Sequence, residues 1–206
     1  MTTTQFYTQA SRFLANLDED WAHLIMALGP CQFEAKPQRD PYQALIRAVA
    51  YQQLHPKAGD AILARFLAVY QGLFPRPQQL LETPFDTLKA CGFSARKIET
   101  IHGIALGSLS GKVPSFTVAS SMSDEALIEQ LVQLKGIGRW TVEMLLIFTL
   151  GRMDILPADD YGIALGYQRL KQLPDPPKPK ALSKMGEAWR PYRTIACWYL
   201  WRVPKA

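Results

Sequence analysis

Apolar residues along this chain recur every three to four positions, and the strict alternation that marks a half-buried strand is nearly absent. Asp40-Pro41 reads as an N-cap followed by proline at the first helical position. It opens the run YQALIRAVAYQQL, in which Leu45, Val49 and Leu54 keep roughly helical spacing. His55-Pro56 interrupts that run, and a second helix, AGDAILARFLAVY, stops near Gly72. Thr83-Pro84 starts a short helix that ends at Gly92, and Ser94 is placed to cap ARKIETIHGIALGSL. Ser123, with Asp124 and Glu125 in the first turn where the helix dipole favours acids, opens a helix to about Leu131. WTVEMLLIFTLG is apolar on nearly every side and is predicted to be buried. MDILPADDYGI reads as a loop leading into a helix that runs to about Leu170, and LPDPPKPK as a proline-rich surface connector. A last helix is expected from about Ser183 to Trp201, and the first 40 residues look helical. No heptad persists, so the expected fold class is all-α, an orthogonal array of short helices.

The sharpest motif is the stretch from Leu131 to Thr141, LVQLKGIGRWT. Two helices meet there in a tight turn that holds Gly136 and Gly138 around Ile137. Glycine at both positions permits positive φ and lets backbone come close to a ligand. The free N–H groups of such a turn, with the N-terminus of the next helix, form an anion site suited to a DNA phosphate. Ile137 and Leu134 would anchor the turn, while Lys135 and Arg139 would add positive charge. Phosphates carry no base identity, so this grip reads no sequence. The plainer alternative is an ordinary helix C-cap, and the flanking pattern LxxLxGIGxxT argues against it.

About twenty residues beyond Gly138 lies PADDYGI, residues 157–163. Asp160 would sit at the start of the helix that begins near Tyr161, where the dipole favours a carboxylate. A simple N-cap explains an aspartate there equally well, and only the hairpin upstream changes that balance.

Composition adds limits. At 48% hydrophobic and 20% charged, the chain resembles an ordinary globule able to bury a core. A net charge of +5 suits a polyanionic partner. Cys31, Cys91 and Cys197 form no CxxC pair and no cluster with histidine, so neither zinc nor a cysteine-bound iron–sulfur cluster is expected. His23, His55 and His102 show no ligand spacing. No apolar run reaches the roughly 18 residues a membrane span needs, and MTTTQFYTQA lacks a signal-peptide pattern.

The hairpin followed by an aspartate loop resembles the helix-hairpin-helix DNA glycosylase superfamily, over about Pro41 to Trp201. The resemblance implies two packed helical subdomains with the active site in the cleft between them. One is expected at about 41–134, the other from 1–40 plus 135–206. Aligning Ile163 with the apolar residue three places after the family's aspartate puts the catalytic role on Asp160, with Asp159 its neighbour. Members with lyase activity carry a lysine at the second position after the hairpin's GxG, a Schiff-base nucleophile. Trp140 stands there in this chain, which implies a monofunctional enzyme. GIGRWT, PADDYGI and WRPYRTIACWYLW together are most similar to the 3-methyladenine DNA glycosylase II class, the alkylation-repair branch.

By position, Trp140, Tyr161 and Trp201 match that class's aromatic wall for the flipped base, with Met144 where a further aromatic is common. Cationic alkylated purines are attracted to such ring faces by up to about 2 kcal/mol when desolvated. Trp189 and Trp198 are expected to pack in the core. The family's wedge lies between two early helices, which points to Leu54, flanked by Gln53 and His55, as the DNA-intercalating loop. The alternative for Leu54 is the last core residue of its helix.

The expected partner is double-stranded DNA containing damaged bases, engaged by a monomer with no membrane. No required cofactor is implied beyond a possible monovalent cation at the hairpin. The expected location is cytoplasmic and nucleoid-associated, or nuclear in a eukaryote. Rival expectations are a glycosylase of the same family for other damaged or mismatched bases, and a non-catalytic DNA-binding module, which would have no need of the acid in the PADDY loop.

Overall fold

The computed structural model describes residues 2–204, and among them are thirteen α-helices, one 3-10 helix and no strand. The chain divides into two compact units, residues 36–150 and residues 1–35 with 151–206. The expected boundaries near 40/41 and 134/135 therefore shift. The second one moves past the hairpin, so that both helices of that motif belong to the same unit. Lys36 N–H donates to the Phe148 carbonyl at 2.7 Å, which ties the two ends of the 36–150 segment together.

In the discontinuous unit, α1 (Thr3–Ala15) and α2 (Glu19–Leu28) pack on each other. The 36–150 unit holds α3 (Pro41–Tyr51), α4 (Pro56–Val69), α5 (Pro77–Glu82), α6 (Phe85–Ala90) and α7 (Ala95–Leu109). It continues with α8 (Phe116–Ser121), α9 (Asp124–Leu131) and α10 (Arg139–Phe148). The chain then returns to the first unit for α11 (Tyr161–Leu170), α12 (Pro179–Met185), a 3-10 helix (Gly186–Trp189) and α13 (Arg193–Leu200).

The caps follow the local chemistry. Asp40 accepts from Tyr42 N–H with Pro41 at the first position of α3, and Ser94 and Ser123 cap α7 and α9 through Lys97 N–H and Ala126 N–H. α3 packs against both α7 and α10 and buries Leu45, Ile46 and Val49 completely. Each such side chain contributes about 1.5–3 kcal/mol of burial, so the helix that ends at the predicted wedge loop is firmly seated.

One expected helix is broken. In place of a single helix from Ser183 to Trp201, α12 and the 3-10 helix stop at Trp189, Arg190 is extended (ψ 141°), and α13 starts at Arg193. Pro191 is the cause, because its ring disfavours helical geometry in the residue before it and it has no N–H to donate. The first turn of α12 absorbs part of the proline-rich connector, with Pro179 at its first position. Trp189 is buried against Trp21 and Tyr167, and Trp198 against Tyr199 with the Arg202 guanidinium 4.0 Å over its ring, all packing roles.

The three cysteines are free and buried, and burial pushes the Cys31 thiol up to about 11. Among the described residues no three His, Cys, Asp or Glu side chains cluster so as to hold a metal ion. No described helix is long and apolar enough to cross a membrane.

Candidate active site and nucleic-acid interface

The hairpin joins α9 to α10. Ile137 is buried and its N–H donates to the Leu134 carbonyl at 3.0 Å, closing the turn on itself. The two glycines do different work. Gly136 has φ +83°, and a Cβ there would overlap Thr100 Oγ1 on α7, so both backbone and space demand glycine. Gly138 is extended (φ −95°, ψ 169°) with open space where a Cβ would point, so the expectation of positive φ holds at Gly136 alone. Gly138 is the N-cap of α10, and no side chain caps that helix. A ten-residue helix thus presents its positive end without a capping side chain.

The two basic residues of the turn are both paired. Lys135 Nζ meets Glu99 Oε1 at 2.6 Å, and both side chains are exposed (78% and 57%), a pair that water or a phosphate displaces at little cost. Arg139 is held more firmly. Its guanidinium contacts Glu125 at 2.7 and 3.1 Å and the buried Glu143 at 3.0 Å. The hydrogen bonds that Arg139 donates to Glu125 raise the Arg139 pKa and hold the Glu125 carboxyl below its usual range. Arg139 therefore braces α10 on α9, and Lys135 is the more available cation.

The loop before α4 lies in the same unit. α3 ends at Tyr51, whose hydroxyl donates to Asp60 at 2.5 Å and whose ring lies against Gly59. Gln53 takes a positive φ of 56° at the turn, and Leu54 follows with 41% of its surface exposed. That exposure excludes the alternative of a buried core leucine. His55 caps α4, its Nδ1 accepting from Lys57 N–H at 3.4 Å. Gln52, the C-cap residue of α3, reaches the hairpin. Its amide donates to the Gly136 carbonyl at 3.1 Å and to Thr141 Oγ1 at 2.9 Å. Trp140 and Met144 sit four residues apart on α10, hence on one stripe of that helix, and both are half-buried.

In the other unit, Asp160 is the N-cap of α11. Its Oδ1 accepts from Ile163 N–H at 2.9 Å and from the Trp201 indole N–H at 3.0 Å. Asp159 is exposed and Asp160 half-buried, which separates the neighbours that sequence left paired. Tyr161 is 68% exposed beside it. Trp201 is placed by α13, whose backbone comes so near α11 that a Cβ on Gly166 would overlap the Leu200 carbonyl.

The opposite end of α13 holds the root of the acid loop. Thr194 Oγ1 accepts from Ile155 N–H at 3.1 Å and donates to the Arg152 carbonyl at 2.7 Å. Arg193 bonds Asp154 through Oδ1 at 2.7 Å and through its carbonyl, and Arg190 adds a bond to Oδ2 at 2.7 Å. These anchors span about forty residues of sequence, and no local pattern announces them. In sequence, WRPYRTIACWYLW offers Trp201 only as an aromatic of the base wall.

The described residues thus combine helices without a strand, a glycine hairpin, an exposed apolar loop and an aspartate held at a helix N-terminus, the features that the glycosylase resemblance implies. The family model described as "HhH-GPD superfamily base excision DNA repair protein" matches residues 46–191. DNA-3-methyladenine glycosylase 1 of Schizosaccharomyces pombe is 46% identical over 96% of this chain and 88% of its own length. A solved structure of the 3-methyladenine DNA glycosylase of that yeast with abasic DNA superposes with a TM-score of 0.92, covering 94% of this chain and 95% of that one. A DNA-3-methyladenine glycosidase structure from Bacillus halodurans gives 0.76 at 35% identity, over 94% and 88%. This chain belongs to the HhH-GPD superfamily of base excision DNA repair proteins.

Proposed function

We propose that this chain is a monofunctional DNA glycosylase that flips alkylated bases of the 3-methyladenine and 7-methylguanine type out of duplex DNA and hydrolyses their N-glycosidic bonds. The observation that carries the reading is Asp160, fixed at the N-terminus of α11 by Ile163 N–H and the Trp201 indole, in a chain of this family. Breaking the bond builds positive charge on the sugar, and a fixed carboxylate stabilises that oxocarbenium-like state. The same group orients the attacking water. Alkylation at a ring nitrogen makes the base a better leaving group, so one well-placed anion and an aromatic wall suffice. Trp140, Tyr161, Trp201 and Met144 are our candidates for that wall.

The hairpin residues Lys135 to Gly138 hold a phosphate, and Leu54 with Gln53 and His55 enters the gap left by the flipped base. Arg139 contributes by bracing the turn. No metal or organic cofactor enters the reaction. A monovalent cation at the hairpin would rely on turn carbonyls, of which those of Gly136 and Leu134 already accept from Gln52 and Ile137. Trp140 cannot act as a Schiff-base nucleophile, so the product is an intact strand with an abasic site.

Incubation with methylated duplex and chromatography of the released bases tests the reading. Free 3-methyladenine and 7-methylguanine should appear, strand breaks only after alkali, and borohydride should trap no protein–DNA adduct. Release confined to oxidised or mismatched substrates would move the enzyme to another branch, and DNA binding with no release from any substrate would leave a binding module.

A further inference from the structure

We propose that Gln52 is a positioning residue that couples the phosphate-gripping hairpin to the wedge loop, so that Leu54 is delivered at a set distance from the gripped backbone. The inference rests on the glycosylase reading above and adds the means by which grip and extrusion act together. Gln52 is the first residue past α3, and both its donor bonds leave its own loop. One goes to the carbonyl of Gly136 at the hairpin's apex, the other to Thr141 in the first turn of α10, 89 residues away. A side-chain amide has two N–H groups, and these two acceptors match them.

The remaining sides of the arrangement are built on α7. Lys97 Nζ donates to the carbonyls of Ala50 at 3.1 Å and Gln52 at 3.0 Å, holding the end of α3. One turn along the same helix, Thr100 lies against Gly136, closely enough that only glycine fits. α7 thus supports wedge loop and hairpin separately, and the Gln52 amide closes the triangle between them. Past Gln52 the loop's printed bonds are local, from Leu54 N–H to the Tyr51 carbonyl and from the His55 cap of α4, and Gln53, Leu54 and His55 are all exposed. Without that tie, Leu54 keeps its chemistry and loses its register to the DNA.

A double-mutant cycle tests this, read by single-turnover base release at saturating protein and by 2-aminopurine fluorescence beside the lesion, which reports unstacking. Gln52→Met keeps length and removes both donors. It should slow release by up to about a hundredfold, the scale expected for a misplaced group, with affinity for undamaged duplex within about twofold of wild type. Leu54→Ala should then cost far less in the Gln52→Met background than alone, because a wedge already out of register has little left to lose. Thr141→Val removes one acceptor without touching the loop and should give a smaller loss of the same kind, with thermal melting confirming a folded protein. Wild-type release from Gln52→Met, or losses from Gln52→Met and Leu54→Ala that multiply, would overturn the coupling. An equal loss of undamaged-duplex affinity would also overturn it, by making Gln52 part of the grip. If the wild-type protein itself released no base, the glycosylase reading would fall first.

Discussion

The hairpin before α10 and the acid loop before α11 each lead into a ten-residue helix at its positive end, and the two ends are finished in opposite ways. At α10 the cap is Gly138, with no side chain spent on the first turn and open space around its Cα. At α11 the cap is Asp160, whose Oδ1 accepts both a main-chain N–H and an indole N–H. The first end supplies a positive site for an anion arriving from outside. The second has its anion built in and held still. On the proposed function, the capping residue of each helix end is what assigns it to a phosphate or to a cationic transition state. The supports differ accordingly. The hairpin rests on backbone closeness at Gly136, the acid loop on side-chain bonds from α13.

The largest effect should come from exchanging the cap that carries charge. Asp160→Asn keeps the shape and removes the anion, and base release should fall by about 10³-fold or more, a loss on the scale of removing a preorganised electrostatic group. DNA affinity should stay within a few fold, measured by fluorescence anisotropy. Asp159→Asn should cost much less. Retained excision by Asp160→Asn would remove that residue from the mechanism.

Next in size is Trp201→Phe, which keeps a ring and deletes the N–H to Asp160. A hydrogen bond to a charged group is worth about 1.5–3 kcal/mol, so the maximal rate of release should drop about tenfold to a hundredfold. If Trp201 acted only by stacking on the base, the phenylalanine variant would instead show weakened lesion affinity at near-normal maximal rate.

The hairpin should respond in binding alone. Gly138→Ala meets no strain in the free protein, so its melting temperature should be unchanged while affinity falls about equally for damaged and undamaged duplex, because the contact carries no lesion information. Gly136→Ala makes a poor probe of the same contact. Positive φ alone costs about 1–3 kcal/mol there, and the overlap with Thr100 adds to it, so the fold would suffer with the grip. Smallest is Lys135→Ala, which should flatten the salt dependence of binding by about one phosphate's worth of slope. An unchanged slope would leave Lys135 to its pair with Glu99 and shift the search for the missing cation elsewhere.

Much of this contrast was legible in sequence because it is local. Asp40-Pro41, Ser94 and Ser123 announce their helices within a few residues, and the glycine spacing of 136 and 138 announces the turn. What escaped was long-range or steric. The Trp201–Asp160 bond joins positions 41 apart, and periodicity carries no information on which side chains will meet. Arg139 looked like a second phosphate ligand because a sequence cannot show that Glu125 and the buried Glu143 already hold it. Pro191 stands inside the expected helix from Ser183 to Trp201, and its effect on the residue before it ends that helix at Arg190. A unit boundary at 134/135 would cut through the hairpin motif, whereas the two hairpin helices pack on each other and the segment closes only at Leu150.

The central claim is that grip and chemistry are built separately, and rates of base release from methylated duplex at saturating protein test it most directly. Under single-turnover conditions, raising the concentration of Gly138→Ala should restore the wild-type rate, because only binding was lost. No concentration of Asp160→Asn should do so. If Gly138→Ala stayed slow when fully bound, or Asp160→Asn released base at a rate near that of wild type, the division of labour between the two helix ends would be wrong.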